Sequence, residues 1–285
     1  MTHQTIVSAT TLAADLQQGP APLVFDCSFE LTNPDAGRQA YEAGHLPGAY
    51  YLHLDQVLSD RKTGLNGRHP LPSRETFAGS MARLGVNDDT QVIAYDNAGG
   101  MYAARLWWML RWAGHGAVAV LDGGIAAWKS AGQTLSTETP APLAAGGFSL
   151  RQSLVTTLDY ADIRANIARP EKLVLDARAP DRFRGENETM DKIGGHIPGA
   201  KNRMFKDNLG ADGRFKPAGQ LKAEFDAITG GRPADELVNQ CGSGVTACHN
   251  LLAMEIAGLK GAALYPGSWS EYSAQPGAAI ATGNT

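Results

Sequence analysis

Gly44-His45-Leu46-Pro47-Gly48-Ala49 returns later in the chain as Gly195-His196-Ile197-Pro198-Gly199-Ala200. Working outward, Val24-Phe25-Asp26 ahead of the first copy is matched by Val174-Leu175-Asp176 ahead of the second. A third stretch, residues 97–128, lies without gaps on residues 241–272, with Gly100/Gly244, Ala103/Ala247, Gly114/Gly258 and Gly123/Gly267 as identical pairs. A recurrence this widely spaced is too long for a solenoid repeat and means two copies of one domain. The stretch 133–154, with Pro140, Pro142 and the Gly146-Gly147 pair, reads as a connection. The expected organisation is a first domain at 1–135, a linker at 136–152 and a second domain at 153–285.

Within each copy, strand and helix patterns alternate. Short apolar runs of buried-strand length stand at 91–95, 117–121, 173–176 and 237–240. Helical patterns occupy 73–84, 101–113, 219–228 and 245–257. In the last of these Val245, Leu251, Leu252, Met254 and Ile256 surround most of the helix, which suits a helix packed hard on a sheet. Such alternation predicts an α/β fold, each copy a parallel sheet flanked by helices. Sites in such sheets form beyond the carboxyl ends of the strands.

Composition narrows the function classes. The 285 residues carry 25 Lys plus Arg against 29 Asp plus Glu, a net charge of −4, which argues against a nucleic-acid partner. With 43% hydrophobic and 19% charged residues the chain can bury a real core. No basic segment followed by an apolar stretch opens the sequence, and no run approaches the roughly 18 apolar residues of a membrane span. The expectation is a soluble, cytoplasmic protein with no membrane partner. Three cysteines are too few for a disulfide framework and leave thiol chemistry open.

The chemistry concentrates where the run 237–240 ends, in Cys241-Gly242-Ser243-Gly244-Val245-Thr246. Two glycines within four residues let the backbone curl so that amide N–H groups converge on one point. The positive end of the following helix aims there too. A sulfur so placed is favoured as thiolate, the attacking form, and is expected at the open mouth of the second copy. Ser243 and Thr246 can add hydroxyl bonds. The first copy has Asn97-Ala98-Gly99-Gly100-Met101-Tyr102 at the equivalent place, so the second domain is the catalytic one. Cys27, following a strand, and Cys248, within a helix, read as small buried hydrophobes.

Two other uses of a cysteine loop fail. A phosphatase loop would place Arg six residues after the cysteine, where Ala247 stands. Cys241, Cys248 and His249 lack a second pair at zinc-ligand spacing, so no metal is expected.

The tandem copies, the Gly-His-Ile/Leu-Pro-Gly-Ala motif in each and the loop Cys241-Gly242-Ser243-Gly244-Val245-Thr246-Ala247 together resemble the rhodanese superfamily. More narrowly the chain is similar to two-domain sulfurtransferases, its loop to that of the 3-mercaptopyruvate enzymes. Gly267-Ser268-Trp269-Ser270-Glu271-Tyr272 resembles the family's C-terminal signature, with Tyr272 where Trp is usual. The resemblance implies two tandem rhodanese-like domains and no cofactor. It also implies that Cys241 takes the terminal sulfur of a small donor as a persulfide and passes it to a thiol acceptor such as thioredoxin, or to cyanide.

Gly242 and Ser243 stand where thiosulfate-preferring relatives carry basic residues, which favours 3-mercaptopyruvate. Arg182 matches a family arginine that grips the donor carboxylate, and Arg184 follows it. A second family arginine, several residues on, is replaced here by Lys192 in Glu188-Thr189-Met190-Asp191-Lys192. The resemblance also assigns Ser243, His45 and Asp35 to a proton relay, with Gly242, Gly244, Val245, Thr246 and Tyr102 lining the donor site. His196 reads as locking the turn before Pro198; Asp26 and Asp176 read as ordering loops through backbone amides. Two alternatives stand beside this reading: a thiosulfate:cyanide sulfurtransferase, and a persulfide carrier without turnover.

Overall fold

Two sheets of the same strand order organise the chain. The computed structural model describes residues 2–284. In the first sheet β1 (Ile6–Val7), β2 (Leu23–Asp26), β3 (Tyr50–Tyr51), β4 (Val92–Tyr95) and β5 (Val118–Leu121) run in the order β1-β5-β4-β2-β3. In the second, β6 (Thr156–Thr157), β7 (Leu173–Asp176), β8 (Lys201–Asn202), β9 (Leu237–Gln240) and β10 (Ala263–Leu264) run β6-β10-β9-β7-β8. Every pairing is parallel, with Val24 opposite Ile93 in one sheet and Val174 opposite Val238 in the other. The duplication read from the sequence is therefore a duplication of topology.

Parallel strands covered on both faces should be apolar throughout. Each residue of β4, β5 and β9 is buried. Val7, Leu12, Val24, Leu46, Ile93, Tyr95 and Trp128 belong to the core of the first unit. Ile163, Val174, Phe183, Ile197, Val238, Tyr265 and Trp269 belong to that of the second. The helices lie within a residue or two of their expected positions, at Arg74–Arg83, Ala103–Trp112, Ala218–Thr229 and Thr246–Ile256. Ser73 caps the first of these by accepting from Thr76 N–H, worth about 1 kcal/mol. Among the described residues no helix is long and apolar enough to cross a membrane.

The two units are not contiguous halves. One comprises Met1–Ser59, Pro72–Leu154 and Ala211–Phe215; the other comprises Asp60–Leu71, Val155–Gly210 and Lys216–Thr285. The stretch expected as a linker, 136–152, has no helix or strand beyond an isolated bridge, yet is held within the first unit. Gly146 N–H donates to Ala82 O at 2.8 Å, and Gly147 N–H to Asn87 Oδ1 at 2.7 Å. Residues 60–71, expected in the first domain, group with the second unit. That placement puts Arg68 and His69 in the unit that carries the Cys241 loop.

Candidate active site

β9 is the middle strand of its sheet, and Cys241 is the first residue past its carboxyl end. The chain turns there through Gly244, whose φ of +76° is open to glycine at no steric cost. The helix Thr246–Ile256 follows, with half-buried Thr246 in its first turn and Val245 at its cap position. Cys241 is itself pinned. Its N–H donates to Ser268 Oγ at 3.1 Å and its C=O accepts from Trp269 N–H at 2.9 Å. Ser270 N–H donates to Gly242 O at 2.9 Å. Ser268 has a left-handed φ of +55°, unusual for a side chain with a Cβ, while its hydroxyl serves the cysteine amide.

Two features depart from the sequence reading. Cys241 is 1% exposed, so the thiol is enclosed rather than open at a mouth. Its Sγ also takes no hydrogen bond among the described residues, so the expected ring of amides is not closed on the sulfur. Both departures follow from the tight seating of the loop. It is tied to 268–270 on one side, and the guanidinium groups of Arg68 and Arg182 lie over Gly242.

The proton relay needs a correction. Ser243 Oγ lies 2.7 Å from Nδ1 of His69, not His45, and both residues are buried. His45 is occupied within the first unit: Nδ1 bonds Tyr41 O at 2.7 Å, Nε2 bonds Glu138 O at 3.1 Å, and the ring stacks on Tyr41 at 3.9 Å. His196 repeats that arrangement in the second unit, with Nδ1 on Phe183 O at 2.9 Å and the ring stacked on Phe183 at 3.8 Å. Both histidines lock turns. Asp35 is exposed at the start of the helix Ala36–Ala43 and caps no amide. Tyr102, buried in the first unit, packs edge-on against Phe29, and burial pushes its hydroxyl well above the usual tyrosine range.

Arg182 belongs to a chain of charges in the second unit. Its Nε and Nη2 grip Glu188, the shortest contact being 2.8 Å, and Nη2 reaches Asp191 at 3.3 Å. Arg178 joins Glu188 to Asp176 at the end of β7, donating to Asp176 Oδ2 at 2.7 Å while its guanidinium lies over the Trp269 ring. Burial works against the Glu188 charge, yet bonds from Arg182 and from the Met190 amide hold its carboxyl below the usual range. Arg68 closes the chain on Asp191 at 2.6 Å. Arg184 turns elsewhere: it pairs with Glu186 and lines a separate cavity of about 290 Å³ with Phe183, Lys201 and Asn202.

The equivalent loop of the first copy is closed on an acidic side chain. Asp96, one residue before the loop 97–102, accepts four backbone N–H bonds from Ala98, Gly100, Tyr102 and Ala103, all within 2.9 Å. The anion cradle is filled by the protein's own carboxylate. The gapless match puts Gln240 at that position in the second copy, and neither atom of its buried amide finds a partner among the described residues. The sequence signal for this difference, Asp before one loop and Gln before the other, was present. His69 and Arg68 carried no such signal, because nothing in 60–71 marks the segment as belonging with the second unit. Among the described residues no group of three or more His, Cys, Asp or Glu is arranged to hold a metal ion.

Comparison with known proteins agrees with this layout. The family described as Rhodanese-like domain matches residues 8–131 and again 159–275. The chain is 46% identical over its full length, and over the full length of the relative, to a Pseudomonas aeruginosa protein named "Probable 3-mercaptopyruvate sulfurtransferase". It is 34% identical to the thiosulfate sulfurtransferase of Cricetulus griseus, covering 95% of this chain and 92% of that one. Among solved structures it superposes on SseA from Escherichia coli, described with the 3-mercaptopyruvate sulfotransferases. The TM-score is 0.80 at 32% identity, over 94% of this chain and 99% of that one.

Proposed function

The chain belongs to the rhodanese-like domain family, carrying the domain twice, and on that premise we propose that it is a sulfurtransferase working through a Cys241 persulfide. The donor we assign is 3-mercaptopyruvate. The observation that carries the reading is the meeting, within one unit, of the Cys241 loop, the Ser243–His69 pair and Arg182. Gly242 and Ser243 after the cysteine fit an organic donor better than a dianion such as thiosulfate.

The Cys241 thiolate attacks the donor sulfur, forming an S–S bond as the carbon–sulfur bond breaks. The electron pair of that bond goes to carbon as the enolate of pyruvate, which takes one proton; Ser243, backed by His69, is placed to deliver it. A thiolate acceptor of the thioredoxin kind then attacks the outer sulfur and releases the Cys241 thiolate. A reducing cytoplasm suits a chain whose Cys27, Cys241 and Cys248 are all free thiols.

Turnover assays with 3-mercaptopyruvate and with thiosulfate test the reading. We expect turnover on 3-mercaptopyruvate to exceed that on thiosulfate, and Cys241→Ser to abolish both. Equal or better use of thiosulfate reassigns the donor. A wild-type protein inert toward both donors overturns the proposal.

A further inference from the structure

We infer that Ser268 is a positioning residue for the nucleophile, its backbone held in a conformation ordinarily left to glycine so that its hydroxyl can seat the Cys241 amide. The inference rests on the function proposed above and deepens it. Ser268 is fully buried, and among the described residues it is the one non-glycine with a positive φ. An L residue there crowds its Cβ against the following carbonyl oxygen. Such a conformation persists only where its surroundings enforce it, and it collects at working sites.

The duplication supplies an internal control. Gly124 matches Ser268 in the gapless alignment of the two copies, and both have a φ of +55°. The first copy makes this turn with glycine, at no steric cost. A side chain would also collide there, its Cβ 2.3 Å from Asp96 O. The second copy keeps the same φ and places on it a side chain with one polar atom. That atom reaches the cysteine that the first copy lacks.

The hydroxyl is committed on both sides. It donates to Tyr265 O at 2.9 Å, which leaves its lone pairs for Cys241 N–H, 3.1 Å away. Tyr265 N–H in turn donates to Asn239 O of β9 at 2.9 Å, so the turn is tied back to the strand that carries Cys241. Trp269 N–H holds Cys241 O and Ser270 N–H holds Gly242 O, so three successive residues grip two. Of these three bonds only the one from Ser268 uses a side chain; the others are main-chain and survive substitution. A thiol 1% exposed has little freedom to meet a donor, so the backbone that carries it sets the direction of attack.

Kinetics and melts on Ser268→Ala and Ser268→Gly test the inference. Both lack the hydroxyl, so both should lower kcat on 3-mercaptopyruvate about tenfold or more, with KM within about threefold of wild type. Only glycine relaxes the backbone, so Ser268→Gly should melt about 2–4 °C above Ser268→Ala. Amide hydrogen exchange at Cys241, which needs no donor, should quicken about tenfold or more in both variants. An unchanged kcat in the folded variants, or a Cys241 amide that exchanges no faster, overturns the assignment. So does Ser268→Ala melting at or above Ser268→Gly. A wild type inert toward both donors, with its Cys241 amide still protected through Ser268, overturns the proposed function and leaves the seating of Cys241 standing.

Discussion

His45, His69 and His196 are all buried, yet only His69 meets a side chain of the cysteine loop. The first and last are duplicates in sequence and in structure, each held by a carbonyl and stacked on a ring. His45→Ala should therefore cost roughly 1–3 kcal/mol of stability by stranding the carbonyls it serves, with turnover of the folded protein unchanged. Thermal melts alongside kinetics read both. His69→Ala should do the opposite, lowering kcat on 3-mercaptopyruvate about a hundredfold with little loss of stability. Its effect on thiosulfate should be smaller, because sulfite leaves without needing a proton on carbon. Cys241 and Ser243 were legible because a glycine-rich loop between strand and helix has a physical purpose. His69 was not, because a histidine shows its partner only once the fold has placed its segment.

At the level of elements, the longer strands and helices were readable because four or more residues carry a period. The two-residue strands β1, β3, β6, β8 and β10 were not, and Lys201–Asn202 shows no apolar pattern at all. Loops depend on single side chains. Asp96→Ala should leave four amide donors unpaired in a partly buried loop, those of Gly100, Tyr102 and Ala103 at buried positions. We expect a loss of about 3 kcal/mol or more, read as a lower urea midpoint. A second tie joins the residue after β8 to the helix Ala218–Thr229. Burial opposes the Glu224 charge, but bonds from Lys216, Arg203 and Gln220 bring its carboxyl down to about 2. A carboxylate with a depressed folded value stabilises above its unfolded value, near 4.5, and loses that stabilisation as pH falls toward 2. Glu224→Gln should flatten the loss of stability over this window in melts from pH 5 to pH 2.

On the scale of the whole molecule, duplication was the most legible property, since identical residues recur in register along both copies. The exchange of segments was hidden, because a sequence read as contiguous domains assigns 60–71 to the first and 211–215 to the second. Each unit completes itself with residues from the other's stretch of chain. Losing one unit strips the other, so a single unfolding transition is expected. Trp269 alone reports on the second unit, while Trp107, Trp108, Trp112 and Trp128 lie in the first. Fluorescence of wild type and of Trp269→Phe should give coincident midpoints after correction for the variant's own stability, and separated transitions would contradict this. Enclosed as it is, Cys241 must still be reached by the donor sulfur. The most direct measurement is the intact mass of the protein after incubation with 3-mercaptopyruvate. The wild type should gain one sulfur atom, removable by a reducing thiol, and Cys241→Ser should gain none. An unchanged wild-type mass, or a sulfur retained by Cys241→Ser, would contradict the account.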